Sequence, residues 1–218
     1  TTAEGLFSLP YRMPHLMVRH VATRHAVPVG SWRSVGHSHN AFFAESFVDE
    51  LAHAAGADPL AWRLALLDRL PRHAAVLRLA AERSRWGSAV PAGRARGVAL
   101  HESFGTVVAQ VVEVSRDKAG APRVHRVVAA VDCGVVINPR IAAQQVESAV
   151  IFGLSAALFG RIDITHGAVR QANFDSYRVL RLAETPAIEV HFIASTRDPG
   201  GLGEPGTPPV APALANAW

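Results

Sequence analysis

The sequence predicts an α+β fold in which helices pack on mostly antiparallel strands. Apolar residues recur at helical spacing up to about residue 85, and from about residue 97 the period of the pattern falls to two. A further helical pattern at residues 139–158 separates these strands from a last strand at residues 188–194. This segregation of helices from strands is typical of the α+β class.

The first part of the chain predicts one strand-like run and three helices. Residues 16–21 favour β-structure. Asp58 and Pro59 are typical of an N-cap followed by proline at the first helical position, so we expect a second helix over residues 59–70 and a third over residues 73–85. Helical spacing predicts the apolar side of the first helix, which comprises Phe42, Phe43, Phe47, Val48, Leu51 and Ala55 before a stop at Gly56.

The remainder of the chain predicts strands around one long helix. Gly120 ends a turn that joins two strands as a hairpin, and Asn138 with Pro139 begins a helix that runs to about residue 158. A second, short hairpin is expected around residues 166–167. The predicted strands are at residues 98–101, 106–115, 124–132 and 188–194.

Composition excludes several classes of function. The formal net charge of +4 is scattered over 218 residues, so we do not expect nucleic-acid binding. Cys133 is the single cysteine, which excludes an intrachain disulfide, a cysteine-rich zinc site and an iron–sulfur cluster held by this chain alone. The longest apolar run, residues 146–159, contains Glu147 and is shorter than the ~18 residues of a membrane span, so a buried helix is expected there instead of a span.

The most informative segment is the loop at residues 198–209, in which Glu204 stands among four glycines and four prolines. Glycine lets the main chain approach a ligand closely, and proline makes the loop stiff. One interpretation is a structural turn whose carboxylate caps the helix that follows. The other is a rigid loop that holds the Glu204 carboxylate in a defined direction for chemistry.

A second segment, residues 32–40, reads Trp-Arg-Ser-Val-Gly-His-Ser-His-Asn and precedes the first helix. Arg33 and backbone amides near two glycines, Gly30 and Gly36, would suit an anionic ligand, although a plain helix-capping loop is compatible with the same residues. A third segment, residues 132–140, predicts a strand end, a turn and a helix start, with Gln145 and Glu147 in the following turns.

Histidines give no metal signature. His101 and Glu102 are adjacent near a strand end, just before Phe104 and Gly105, but a second histidine four residues on is missing. The spacing of the other histidines predicts no metal site either, and we do not expect His101 to be catalytic.

The three segments together resemble the molybdenum hydroxylases, the family of xanthine dehydrogenase and aldehyde oxidase, in particular the isoquinoline-oxidoreductase branch. The resemblance extends over essentially the whole chain. It implies that Glu204 is the catalytic general base, which takes a proton from the water-derived hydroxyl that attacks the substrate carbon. The cofactor-binding residues implied in the same way are Gln145, Arg33, Gly36, Gly105 and Gly203, and the implied substrate pocket contains Arg33, His37 and Phe104.

The resemblance also implies the cofactors and partners. The cofactor would be molybdenum bound to molybdopterin, commonly in its cytosine dinucleotide form, and the substrate an N-heterocycle or an aldehyde. Electrons would pass to a small partner subunit that carries two [2Fe–2S] clusters. Residues 1–96 would form the end of a first molybdopterin-binding region and residues 97–218 a second region with the Glu204 loop.

The chain departs from the family pattern at several points. Ser148 and Ala149 stand where the family has two glycines, and His37 stands where a small residue is more usual. The family's earlier glycine-rich cofactor motifs are not in this sequence, and both ends look cut. We therefore expect a C-terminal fragment of a large subunit, whose partner would be the remaining N-terminal part.

Two other functions are alternatives for the same residues. A non-catalytic or degenerate cofactor-binding or assembly module of the same fold is mildly favoured by Ser148 and Ala149 and disfavoured by Glu204. A nucleotide-binding loop at residues 200–203 is the second alternative. It lacks the Gly-x-Gly-x-x-Gly or Gly-Lys-Ser/Thr pattern that such a site needs after a strand. The pattern leaves the location open between cytoplasm and periplasm.

Overall fold

The computed structural model describes residues 2–218 and places a four-stranded sheet between two layers of helices. The strands are β1 (Arg94–Ser103), β2 (Thr106–Arg116), β3 (Pro122–Asp132) and β6 (Ala187–Phe192), in the order β1-β2-β3-β6. The first three pair antiparallel as a meander, and β6 joins β3 in parallel. The predicted α+β class with mostly antiparallel strands is therefore confirmed.

Five α-helices within residues 2–218 surround this sheet, and their bounds are α1 (Val35–Ala54), α2 (Pro59–Leu66), α3 (Pro71–Ser84), α4 (Pro139–Phe159) and α5 (Val210–Ala217). Two predicted caps are confirmed. The side chain of Asp58 accepts a hydrogen bond from the Ala61 amide at 2.8 Å, and that of Asn138 accepts one from the Ile141 amide at 3.1 Å. The short hairpin is also present, as β4 (Ile164–Thr165) and β5 (Ala168–Val169).

The alternation of side chains along the strands creates one core on each face of the sheet. Val98 and Leu100 of β1 face the α1–α3 layer with Leu77 of α3. The intervening Ala99 faces the opposite layer, where it packs with Val150 of α4. A third cluster at the end of β3 continues this second core beneath α4 and includes Val108, Ala129, Val131, Cys133 and Val146.

The N-terminal part differs from its prediction in two ways. Residues 16–21 form no strand; they are exposed, with Met17 at 82%, and pair with no neighbouring strand. The helix predicted from the apolar spacing is present as α1, but only part of that set is in the core: Val48 is buried, whereas Phe43 and Phe47 are more than half exposed. The small residues Ala41 and Ala44 are buried instead, since α1 lies close against α5 and only short side chains fit between two helices at close approach.

Several helix and strand ends also differ from the predicted ones. α1 begins at Val35, ahead of the predicted phenylalanine pattern, and α2 ends at Leu66 and not near residue 70. Pro71 becomes the first residue of α3, where the missing amide hydrogen of proline has no helical partner in any case. β1 starts at Arg94, earlier than residue 98.

Helix α4 confirms the helix predicted over residues 139–158 and is longer than the apolar run at residues 146–159. It has 21 residues, and by length and a mean hydropathy of 1.4 alone it is apolar enough to cross a membrane. Its buried residues include Val146, Val150 and Leu154, which pack in the cores of this fold.

A buried ion-pair network joins α1 to α2. Arg63 is fully buried and donates from Nε to Glu45 at 3.0 Å and from Nη1 to Asp49 at 2.8 Å. Glu45 also accepts hydrogen bonds from the Tyr11 hydroxyl at 2.6 Å and the Leu100 amide at 2.9 Å. Burial, and then the charge of Glu45, raise the pKa of Tyr11 well above its ordinary value, so its hydroxyl remains a donor.

We expect Arg63→Met to lower the free energy of unfolding by about 3–5 kcal/mol, because two buried carboxylates would lose their counter-charge. Urea unfolding of the purified protein measures the change. The control is Arg12→Met, which breaks an exposed pair with Asp68 and should leave the unfolding midpoint unchanged. Equal effects of the two variants would contradict the network's role.

Candidate active site

The Glu204 loop has no helix or strand of its own and is attached to the sheet by backbone hydrogen bonds. The Gly200 amide donates to the Cys133 carbonyl at the end of β3, and the Gly201 amide donates to the Phe104 carbonyl in the β1–β2 turn, each at 2.8 Å. The Thr106 hydroxyl donates to the Gly201 carbonyl at 2.6 Å. The loop is therefore held against the ends of three strands.

At two positions the loop packs so closely on its neighbours that only glycine fits. A Cβ at Gly200 would lie 2.6 Å from Thr106 Oγ1, and a Cβ at Gly206 would lie 2.9 Å from Ala149 Cβ on α4. Larger residues at either position would lift the loop from the surface below. A buried glutamine adds a further attachment, since Gln110 Nε2 donates to the Gly206 carbonyl at 2.7 Å.

The carboxylate of Glu204 lies at the N-terminus of α1. Its Oε1 accepts a hydrogen bond from the Ser34 amide at 2.9 Å, while the Ser34 hydroxyl donates to the Glu204 carbonyl at 2.8 Å. Glu204 does not cap the following helix, because α5 has no side-chain cap at its N-terminus. The interpretation of Glu204 as the cap of the helix that follows its loop is therefore wrong.

The backbone at this contact is strained. Ser34 has a φ of 73° and Val35 a φ of 42°, in the left-handed region that a β-branched residue such as valine rarely adopts. Such strain persists only where surrounding contacts impose it. Here it turns the Ser34 amide toward Glu204.

Arg33 joins the Glu204 loop and helix α4 to the segment that precedes α1. Its guanidinium donates to the Gly203 carbonyl through Nε at 2.8 Å and also through Nη2. Nη1 donates to the Ser148 hydroxyl at 3.2 Å, and Nη2 lies 3.5 Å from the Gln145 carbonyl, both on α4. The guanidinium also lies 5.5 Å from the centre of the Phe152 ring.

Gln145 and Ser148 present polar groups beside the Glu204 loop. The side chain of Gln145 is exposed, and a Cβ at Gly203 would lie 4.0 Å from its Oε1, so the two residues are neighbours. Ser148 lies in the next turn of α4, where its hydroxyl accepts the hydrogen bond from Arg33.

A second group of predicted residues lies at the β1–β2 turn. The His37 ring lies 5.4 Å from the Phe104 ring, centre to centre. Phe104 and Gly105 both have positive φ, at 52° and 77°, and the turn is held by Arg72, whose Nη2 donates to the Gly105 carbonyl at 2.8 Å. Arg72 also binds Asp132 at the end of β3 at 2.9 Å.

This turn borders a cavity of about 520 Å³, which is lined by Phe104, Gly105, Arg197, Asp198, Pro199, Gly200 and Gly201. A larger apolar cavity of about 610 Å³ lies elsewhere, between α1, α4 and α5, with Trp32, Thr207 and Trp218 in its wall. Neither Glu204 nor Gln145 lines either cavity; the smaller one is bordered by loop residues 198–201 and the larger one by Thr207 of the same loop.

The predicted site residues thus fall into two neighbouring groups and one outlying position. Gly36 is the outlying residue, because its amide lies 3.3 Å from Glu4 Oε2 in the N-terminal segment. Within residues 2–218, no cluster of three or more His, Cys, Asp or Glu side chains is arranged to hold a metal ion. The first group comprises Arg33, Gln145, Gly203 and Glu204, and the second His37, Phe104 and Gly105.

Sequence reasoning missed three residues that hold this site together, namely Ser34, Arg72 and Gln110. Gln110 had a detectable signal, because it is the one polar residue in the apolar run 107–112. Ser34 stood within the quoted segment but its amide, not its side chain, contacts the carboxylate. Arg72 follows a proline at a helix start and carried no signal.

Comparison with known proteins gives several relatives. The chain is 35% identical over 212 residues to isoquinoline 1-oxidoreductase subunit beta of Brevundimonas diminuta, a match that covers 95% of this chain and 27% of that protein. It is 35% identical over 208 residues to the membrane-bound aldehyde dehydrogenase [pyrroloquinoline-quinone] of Gluconacetobacter polyoxogenes, covering 86% of this chain and 27% of that protein. The chain thus spans about a quarter of the length of these curated relatives.

The fold has a counterpart of known structure. Quinoline 2-oxidoreductase from Pseudomonas putida 86 superposes with a TM-score of 0.74 over 87% of this chain and 50% of that one, at 12% identity, which establishes the likeness of fold alone. Residues 63–186 match the molybdopterin cofactor-binding domain family. That match covers more than half of the sequence, so this chain belongs to the molybdopterin cofactor-binding domain family.

Proposed function

We propose that this chain forms part of the cofactor and substrate site of a molybdenum-dependent oxidoreductase subunit. Its reaction would hydroxylate an N-heterocycle or oxidise an aldehyde, the substrate classes that the names of its relatives suggest, and water would be the oxygen donor. The observation that carries the proposal is the meeting of three distant segments, in which Arg33 contacts Gly203 and Ser148 and the Ser34 amide contacts Glu204.

The residues present fit a pterin cofactor. A pterin ring offers alternating hydrogen-bond donors and acceptors, and the exposed side-chain amide of Gln145 supplies one of each. Gly203 beside it carries no side chain that would block close approach. Gln145, Arg33, Gly36, Gly105 and Gly203 are the residues that we propose for holding the cofactor.

The bound molybdenum cofactor would supply the redox chemistry, and this chain would supply position and proton transfer. Glu204 would be the catalytic general base. Among the described residues only its Oε1 receives a hydrogen bond, from Ser34, so Oε2 is left to accept a proton from the attacking hydroxyl. A carboxylate held in a defined direction on a stiff loop, with one oxygen free, is suited to general-base catalysis.

Arg33, His37 and Phe104 would form the wall of the substrate pocket. The aromatic ring of Phe104 and the imidazole of His37 lie together, which suits a flat heterocycle or an aromatic aldehyde. Arg33 would act mainly by fixing the Glu204 loop, because its donors already bind Gly203 and Ser148.

The wider assembly is part of the same proposal. The cofactor would be the cytosine dinucleotide form, and a small subunit with [2Fe–2S] clusters would accept the electrons. Residues 1–96 and 97–218 would belong to a first and a second molybdopterin-binding region, completed by the remaining N-terminal part of a longer subunit.

We expect residues 1–218 alone to bind the molybdenum cofactor poorly and to have no activity, because they supply one side of the site. Metal analysis of the purified chain after expression with the cofactor tests this. Molybdenum in a one-to-one ratio with the chain would overturn the expectation.

Glu204→Gln in the complete enzyme should lower kcat by about 10²–10⁴-fold, the usual contribution of a general base. The amide keeps an oxygen for the Ser34 amide, so molybdenum content should remain at the wild-type level. Turnover and molybdenum content are measured together.

The control for this variant is Glu147→Gln on α4, which removes a half-buried carboxylate elsewhere on the same surface and should leave kcat unchanged. Full turnover of Glu204→Gln would support the alternative, a cofactor-binding or assembly module without catalysis of its own.

Arg33→Lys should raise amide hydrogen exchange in residues 203–206 and lower kcat about tenfold. A lysine ammonium cannot reproduce the fork by which Arg33 binds Gly203 and Ser148 together. Exchange is followed by mass spectrometry, with the exposed Arg140→Lys as the control. Unchanged exchange in Arg33→Lys would mean that the loop is held without this side chain.

A further inference from the structure

Two histidines from distant parts of the chain meet at the edge of this site. His37, in the first turn of α1, and His101, near the end of β1, approach to 2.9 Å between Nδ1 of His37 and Nε2 of His101. Their ring centres are 5.1 Å apart and their planes are inclined at 72°. The His37 ring also lies beside the ring of Phe104, in the proposed pocket wall.

The pair is enclosed by the N-terminal segment. His101 is only 5% exposed. A Cβ at Gly5 would lie 2.7 Å from His101 Cε1 and 2.7 Å from His37 Nδ1, so the backbone of Gly5 packs directly on both rings. Gly5 also has a φ of +80°, and glycine alone combines that conformation with such close packing.

Burial disfavours the charged form of both imidazoles. Burial, and then the proximity of His37, lower the pKa of His101 to about 3, against the opposing charge of Glu102. Burial also lowers the pKa of His37, although the nearby carboxylates oppose this. Among the described residues, the titratable groups that face the pair are Glu4, His73, Glu102 and Glu204.

A hydrogen bond between two neutral imidazoles needs one donor nitrogen and one acceptor nitrogen. The tautomers of the two rings are therefore coupled, and the tautomer of one ring determines whether the free nitrogen of the other, Nε2 in His37, carries a hydrogen. His101 is buried in the sheet, whereas His37 is half-exposed at the pocket edge. The buried ring is thus the more firmly held member of the pair.

We propose that His101 is a positioning residue, which fixes the orientation and tautomer of His37 and through it the Phe104 side of the substrate pocket. This inference rests on the proposed function of the site, because it is that proposal which assigns His37 to the substrate pocket. A merely structural buried histidine would contribute to stability and leave His37 unaffected when replaced.

The test compares His101→Leu with His101→Gln in the complete enzyme. Glutamine keeps an amide group near the position of Nε2, while leucine removes every hydrogen-bonding atom. Exchange of the C2 hydrogen of His37 for deuterium, followed by mass spectrometry, should be at least about threefold faster in His101→Leu, because a ring without its hydrogen bond is free to reorient. His101→Gln should restore the wild-type rate.

Kinetics of the same variants provide the second measurement. His101→Leu should raise KM about fivefold, the equivalent of one hydrogen bond, with a smaller change in kcat. His101→Gln should again lie close to wild type. An unchanged His37 exchange rate and KM in His101→Leu would overturn the proposal.

His73→Gln is the matched control for burial. His73 is also 5% exposed but bonds to Glu102 and not to His37, so its replacement should leave His37 exchange unchanged. A faster His37 exchange in this control, equal to that of His101→Leu, would overturn the specific role of His101.

If His101→Leu fails to fold, Gly5→Ala replaces it, because its added methyl group presses on both rings. It should also speed His37 exchange, and an unchanged rate would overturn the proposal.

The outcome is separable from that of Glu204→Gln. Full turnover of Glu204→Gln refutes the general base, whereas His37 exchange reports only on the histidine pair.

Discussion

The attachment of the Glu204 loop to the strand ends is the constraint on which the site depends. This loop has no internal helical or strand hydrogen bonds, so its shape is set by what it touches. Gly200 and Gly201 bind the end of β3 and the β1–β2 turn, and Gln110 reaches the loop from inside the sheet. The neighbouring sheet thus adds to the stiffness that the prolines of the loop provide.

The N-terminus of α1 completes this arrangement. A carboxylate is favourable there, since the first amides of a helix have no partner within the helix. The strained backbone of Ser34 and Val35 directs one such amide to Glu204, and Arg33 immediately before it holds the adjacent Gly203 carbonyl. One short segment therefore positions both the carboxylate and the loop that carries it.

Much of the fold followed from local signals. The caps at Asp58 and Asn138, the hairpin ending at Gly120 and the long helix α4 depend on residues close together in the chain, and their prediction is confirmed. Predictions that depended on a distant partner were wrong. Residues 16–21 have β-favouring side chains but pair with no strand, and the phenylalanines of α1 have helical spacing but face away from the core.

By itself, the sequence determined the α+β class, the three segments that carry the resemblance and the position of Glu204 in a stiff glycine- and proline-rich loop. These features are local, because turn chemistry, capping and hydrophobic period act over a few residues. Only the tertiary structure decided that Ser34 binds the Glu204 carboxylate, that Arg33 meets Ser148, and that His37 meets His101. Those contacts join residues between 64 and 170 positions apart, and no local pattern encodes which distant groups the packing of sheet and helices brings together.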